Sequence, residues 1–358
     1  MQMVRDENAM PQTPDHAARH ILFITSNRIG DAVLSTGLLN HITQAYPKAR
    51  VTIACGTLAV SLLEGFPQLE RIIPLEKQSW NRHWLRLWRA VYARRWDVVI
   101  DLRNSAVSRL VMAKRRFIYG RHIDRSLHKV EQSAAVMGLL ERSIPDSPAP
   151  LLPPAPKLWF TQTQLDFAAR HIPDVTDTEG SAGSAEGATR VLAVGPTANW
   201  IGKTWPYERF IEIVEFLTAR GGMMEGARVA VFAARGEEEA AYKVLNAVTP
   251  SARALDCIAK GTPGEAAAAI ARCDFYIGND SGLMHCAAAY GVPTLGLFGP
   301  SYPALYRPWG DHAHYIATPE TIDELTAFEG YHPKTCGCLM NSLTITAVKQ
   351  KLKEVLRA

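Results

Sequence analysis

The stretch Gly278-Asn279-Asp280-Ser281-Gly282-Leu283-Met284-His285 sets a carboxylate, a hydroxyl, a glycine and an imidazole within six residues. The apolar run "FYI" precedes it and "LMHCAAAYG" follows, so it reads as a strand, a turn and a helix start. A helix opening at Gly282 aims unpaired backbone N–H groups and its positive dipole end into that turn, which favours a phosphate or diphosphate. The glycine lets such an anion approach the backbone closely. His285, one turn in, can donate to a phosphate oxygen, whereas Asp280 suits sugar hydroxyls or the N–H groups of its own helix. Asp280 or Ser281 as a plain N-cap is the competing reading. Gly299-Pro300-Ser301 then ends the next strand in a second tight turn on the same edge.

The segment "FITSNRIGDAVLSTGLL" repeats this logic near the start of the chain, with Gly30 and Asp31 at a strand-to-helix turn. Asp31 is either a helix cap or a base able to take a proton from an attacking hydroxyl. Lys203, in "WIGKTWP", is a solvated loop lysine or the counter-charge of a diphosphate leaving group. Spacing excludes several other phosphate sites. No two glycines are separated by one residue, so the dinucleotide fingerprint is absent, and "GPTANWIGKT" has six residues between its glycines where a P-loop needs four. No D-x-D metal clamp occurs, and Cys336-Gly337-Cys338, a lone C-x-C, is a weak zinc signal.

The elements that must carry these turns alternate between strands and helices. "ILFIT", a helix over 31–45, "RVTIAC", "RIIPL", a helix around 80–94 and "DVVIDL" form one series, closed by a helix near 130–142. A helix near 161–171, "RVLAVG", helix 206–220, "ARVAVFAA", helix 237–248, "RALDC", helix 264–272, "DFYIG", helix 282–290 and "PTLGLFG" form another. Such alternation predicts two doubly wound, mostly parallel sheets, with ligands at the carboxyl ends of the strands. The proline-rich run 144–157 marks the boundary, and the Gly/Ser/Ala-rich 177–189 a flexible insertion. The expected division is a disordered tail over 1–19, a first domain over 20–150, a second over 151–343 and a terminal helix over 344–358.

The 358 residues, 47% hydrophobic and 21% charged, suit a globular protein with sizeable cores. No apolar run reaches membrane-span length, the first residues lack a signal-peptide core, and the scattered cysteines fit a reducing cytoplasm. The net charge of +4 conceals a concentration: 82–129 holds 13 Lys and Arg against three Asp, with Trp84, Trp88, Phe117 and Tyr119 interleaved. That window fits an anionic partner, whether nucleic acid, membrane surface or phosphorylated glycolipid. No nucleic-acid reader motif is present.

Together, "NDSGLMHCAAAYGVPTLGLFGPSYP", "RIGDAVLST" and the lysine of "GKTWP" resemble glycosyltransferase family nine, the lipopolysaccharide heptosyltransferases, over about residues 20–357. The resemblance implies a GT-B fold, two Rossmann-like domains facing a cleft, with the donor held by the second. It implies an inverting, metal-independent transfer of heptose from ADP-heptose to Kdo-lipid A or the inner core, without a cofactor. Asp31 then matches the general base and Lys203 the lysine at the donor phosphates. Asp280 matches a donor-sugar contact; Ser281, Gly282, Leu283 and His285 match the diphosphate turn. Thr197, Glu237, Gly299 and Ser301 complete the expected donor site, and Arg109, Arg115, Arg116 and Arg121 the acceptor side. A cytoplasmic location, peripheral to the inner membrane, and no nucleic-acid partner would follow. Competing expectations are a family member moving another sugar, a GT-B nucleotide-sugar epimerase, and a non-catalytic binder of anionic glycan.

Overall fold

Strand β1 (His20–Ile24) is buried on both faces, as the unbroken apolar run "ILFI" requires of a central parallel strand. A computed structural model describes residues 19–140, 153–174, 190–333 and 335–357. The expected tail (all but Arg19), the boundary residues 144–152 and the insertion 177–189 lie outside these. The first sheet adds β2 (Arg50–Cys55), β3 (Leu69–Pro74), β4 (Trp96–Asp101) and β5 (Ala113–Ile118) in the order β3-β2-β1-β4-β5, every pair parallel. Ile21 and Phe23 enter one core cluster with Val51, Ile53, Val98 and Ile100. Leu22 and Ile24 enter another, on the opposite face, with Ala54, Leu87 and Val99.

The second sheet contains β6 (Val191–Gly195), β7 (Arg228–Ala233), β8 (Ala254–Ile258), β9 (Phe275–Asn279), β10 (Thr294–Phe298) and β11 (Ala313–Ala317). Its order is β11-β10-β9-β6-β7-β8, again all parallel. Counted within each unit, both sheets follow the doubly wound sequence 3-2-1-4-5, the second with a sixth strand. The strand order therefore reverses between β1 and β4 in one and between β6 and β9 in the other.

The chain parts into two compact units, one ending at Phe160 and the other beginning at Thr161. Residues 153–160, expected in the second domain, fall in the first unit. The carbonyl of Pro154 lies where a Cβ on Gly37 would come within 2.0 Å, so only glycine lets this returning segment cross the helix Thr36–Ala45. Lys157 N–H then donates to Thr36 Oγ1 at 3.0 Å. The terminal helix Ile345–Val355 buries Val348 and Leu352 in the core of the second unit.

Three expectations need correction. The helix expected over 31–45 begins earlier, at Ile29, and is divided at Ser35 into Ile29–Leu34 and Thr36–Ala45. Strands β5 and β11 were not expected at all. Both are edge strands, where one flank meets water and charge is tolerated, so "AKRRFI" and "AHYIA" lack the apolar run of a buried strand.

The edge strand β5 is tied in through Asp97. Its carboxylate accepts the N–H groups of Arg19 and His20 at 2.8 and 3.0 Å and the Lys114 ammonium at 2.6 Å. Burial pushes this carboxyl up, but the bonds from Lys114 and the two amides outweigh it and hold it below the usual range. A depressed carboxyl stabilises the fold above its unfolded value of about 3.9 and loses that contribution as pH falls through the folded value. Lys114 is mostly exposed, so solvent screens its share. Asp97→Asn should therefore cost about 1–2 kcal/mol at neutral pH, a difference that closes below about pH 4 in denaturant titrations.

Candidate active site

Both chemistry-bearing turns fall at strand-order reversals, the crevices where doubly wound sheets bind ligands. In the second unit β6 and β9 are neighbours, with Gly195 opposite Gly278 in their register. The fully buried ring of Tyr276 reaches along β9 over both, and a Cβ would come within 2.1 Å of its hydroxyl at Gly195 and within 2.6 Å at Gly278.

Asn279, the last residue of β9, is wholly buried and bonds in two directions. Its Nδ2 donates to the Pro196 carbonyl at 2.9 Å, and its Oδ1 accepts the Trp205 N–H at 3.1 Å. Trp205 Nε1 donates in turn to the Leu343 carbonyl at 2.8 Å, and Leu339 N–H to the Gly202 carbonyl at 3.2 Å. The short turn Ile201–Lys203 is thereby held from both sides. It delivers Lys203 Nζ to Asp280 Oδ2 at 2.5 Å, with the side chains 25% and 8% exposed.

This pairing rules out two of the bland readings. Lys203 is not a solvated loop lysine, and Asp280 does not cap the helix Gly282–Tyr290. Ser281 is the N-cap residue, in extended conformation, and its side chain makes no capping bond either. The first N–H groups of that helix therefore keep their capacity for an anion beside an ammonium group. Ser281, Gly282 and Leu283 are partly exposed, while His285 is buried one turn in. Thr197 Oγ1 donates to Glu237 Oε2 at 2.6 Å, which joins the turns after β6 and β7. On the neighbouring turn Gly299 packs against Met340, where a Cβ would meet its Cγ at 2.4 Å, and the Ser301 hydroxyl has no partner among the described residues. Thr197, Lys203, Glu237, Asp280, Ser281, Gly282, Leu283, His285, Gly299 and Ser301 thus all lie on turns or helix starts at one edge of the sheet. Asn279 is a positioning residue that sequence reasoning missed; its only signal was an amide ending a buried strand.

In the first unit the helix Ile29–Leu34 starts from Arg28, so Asp31 is a first-turn residue and not the cap. Ser26 Oγ donates to its Oδ2 at 3.3 Å. Lys129 opens the helix Lys129–Val136 nearby. Burial pushes its ammonium down, the Asp31 carboxylate opposes that shift, and Arg125 adds to it. Opposite charges on two helices thus act on one another here, and Lys129 was visible in sequence only as one more charge in a basic window. Asp101, at the end of β4, is fully buried and accepts from Arg103 N–H, Ser105 N–H and Ser105 Oγ, which shapes the facing loop.

The four expected acceptor arginines divide. Arg116 gives all three of its nitrogens to carbonyls of Ser108, Val111 and Ala113, a structural task on β5. Arg109 bonds Ser105 O and Asn104 Oδ1, Arg115 is partly buried on β5, and Arg121 is exposed in the following loop. Among the described residues no group of three or more His, Cys, Asp or Glu is placed to hold a metal. Cys55, Cys257 and Cys286 are thiols that burial pushes up to about 12.

Lys203→Met should leave the buried Asp280 charge without its cation and destabilise the protein by about 1–3 kcal/mol. Adding Asp280→Asn should recover at least half of that loss in equilibrium unfolding; strictly additive effects would show that the two groups do not act as a pair.

Residues 84–327 match the family described as glycosyltransferase family 9 (heptosyltransferase). Lipopolysaccharide heptosyltransferase 2 of Escherichia coli K12 is 26% identical over 342 residues, 87% of this chain and 92% of the relative. Among solved structures, a glycosyl transferase of family 9 from Veillonella parvula superposes with a TM-score of 0.71 at 20% identity, covering 98% of this chain and 99% of the other. The E. coli ADP-heptose lps heptosyltransferase II gives 0.66 at 24% identity, covering 94% and 98%. These likenesses and the two doubly wound sheets establish the GT-B fold. The chain belongs to glycosyltransferase family 9, and it is a glycosyltransferase.

Proposed function

We propose that this protein transfers a heptose from ADP-heptose to a Kdo-lipid A or inner-core lipopolysaccharide acceptor, with inversion and without a metal. The observation that carries the reading is the Lys203–Asp280 pair beside the uncapped start of the helix at Gly282. The curated relative named above, a lipopolysaccharide heptosyltransferase, supports the sugar and the acceptor class.

In this reaction the second unit, expected from 151 to 343 with the terminal helix 344–358 behind it, is the donor domain. The helix N–H groups at Gly282 and Leu283, the Ser281 hydroxyl, His285 and Lys203 take the diphosphate. Preorganised donors of this kind stabilise the charge that grows on a leaving phosphate. Asp280 receives sugar hydroxyls as Lys203 turns toward phosphate. The Thr197–Glu237 pair offers a hydroxyl and a carboxylate to the ribose, and Gly299 and Ser301 complete the turn beside it. The first unit, expected from 20 to 150, is the acceptor domain. An acceptor hydroxyl bonds to the anomeric carbon as the bond to the diphosphate oxygen breaks, and Asp31 accepts its proton. Lys129 holds positive charge beside that carboxylate. Arg109, Arg115 and Arg121 face the acceptor's anionic groups, with Arg116 supporting them from the strand. The absence of any D-x-D motif fits a mechanism in which protein cations serve the diphosphate. An acceptor of this kind assigns the work to the cytoplasmic face of the inner membrane.

ADP-heptose consumption followed by mass spectrometry should require Kdo-lipid A and yield a product heavier by one heptose. Donor consumed without acceptor would point to an epimerase, and neither outcome to a binding protein. Asp31→Asn should lower kcat about 10²–10⁴-fold in a folded variant, while ADP affinity stays near wild type; turnover close to wild type would remove Asp31 from the role of base.

A further inference from the structure

The helix Arg82–Val91 buries His83, Leu87 and Val91 against the first sheet, a spacing of four that uses one face fully. Its opposite face carries Arg82, Leu85, Arg86 and Arg89, all exposed, and the three arginines have no partner among the described residues. From Lys77 to Trp96 the chain has six basic side chains and no acidic one. Arg94 is taken by Glu70, so the unneutralised charge concentrates on the outward face of the helix.

The apolar residues at this surface are placed at odds with ordinary burial. Trp80, immediately before the helix, is 94% exposed, and the left-handed backbone of Trp80 and Asn81 (φ 57° and 55°) forms the turn that presents it. Leu85 is 48% exposed, and Leu110, on the adjoining short helix Val107–Leu110, is 67% exposed. An indole standing in water gains nothing from folding, whereas at a bilayer boundary it sits at headgroup level. Arginines flanking such apolar tips are attracted by an anionic leaflet. Nucleic acid explains the charge but leaves Leu85 and Leu110 wet.

We infer that this face, with Trp80, Leu85 and Leu110 as insertions and Arg82, Arg86 and Arg89 as the electrostatic part, docks the enzyme on an anionic phospholipid surface. The inference builds on the proposed function only in that the acceptor is a lipid; none of these six residues is assigned there, although Leu110 follows Arg109 on the same short helix.

The test is flotation of the full-length protein with vesicles of phosphatidylethanolamine containing about a quarter phosphatidylglycerol, against pure phosphatidylcholine. Wild type should float with the anionic vesicles and lose binding as salt rises. Replacing Arg82, Arg86 and Arg89 together by Gln should weaken partitioning about a hundredfold, on the scale expected for three surface charges. Trp80→Ala with Leu85→Ala should weaken it about tenfold or more and abolish quenching by bromine-labelled lipid. Unfolding curves matching wild type show that the variants are folded, as exposed positions require. Equal partitioning of wild type and variants overturns the proposal, as does equally tight binding of duplex DNA that the arginine variant loses. Turnover on a deacylated, water-soluble acceptor should be unchanged in all variants. Normal turnover with no vesicle binding defeats the docking surface alone; vesicle binding without any turnover defeats the proposed heptose transfer to this acceptor alone.

Discussion

The amide of Asn279 is the fastening on which the turns at the strand edge of the second unit depend. It ends the central strand β9 without access to water, so both of its polar atoms must be satisfied inside the protein. They are satisfied at the two ends of one connection, by Pro196 just after β6 and by Trp205 just before the helix Tyr207–Thr218. Those bonds settle where the turn bearing Lys203 comes to rest. A lysine on a free loop would sample many directions; this one is delivered to a single carboxylate.

That carboxylate belongs to the same strand end, so the site is organised around one position in the sheet. The parallel architecture makes this natural. Every strand finishes at the same edge, and the reversal in strand order between β6 and β9 opens a space that no crossover helix fills. Apolar cores on both faces of the first sheet, and the strands buried throughout the second, supply rigidity, and the polar groups at the edge inherit it. The edge therefore holds cationic, anionic and hydroxyl groups in fixed relation before any ligand arrives, as electrostatic catalysis requires. Asp31 shows the same economy in the first unit, where the turn after β1 sets it near the oppositely charged Lys129.

How much of this could be read beforehand follows from burial. The strands β1, β2, β6, β7, β9 and β10 are apolar runs between turn residues, and the helix Gly282–Tyr290 falls where its flanking glycines put it. Strands β5 and β11 escaped because an edge needs only partial burial, which leaves room for lysine, arginine and histidine in the pattern. Within the two units, Asp31 in one and Lys203 and Asp280 in the other were legible as residue types on suitable turns. Their partners were not, because contacts between residues 203 and 280 or 196 and 279 are long-range and leave no local spacing. The same blindness made a uniform patch of the arginines, of which Arg116 is occupied by three carbonyls of its own neighbourhood.

Tyr276 bears on how this sequence is free to change. Its ring occupies the volume that side chains at Gly195 and Gly278 would need, so the three positions share one parcel of space. A descendant carrying alanine at either glycine must first, or simultaneously, surrender the phenol for something shorter. At Gly278 that exchange is not enough, because the Gly195 carbonyl lies 2.7 Å from the same added atom, so a shorter residue at 276 frees position 195 alone. The packing beneath the turn after β9 thus ties Gly195 to Tyr276 and Gly278, which lie more than eighty positions further along the chain.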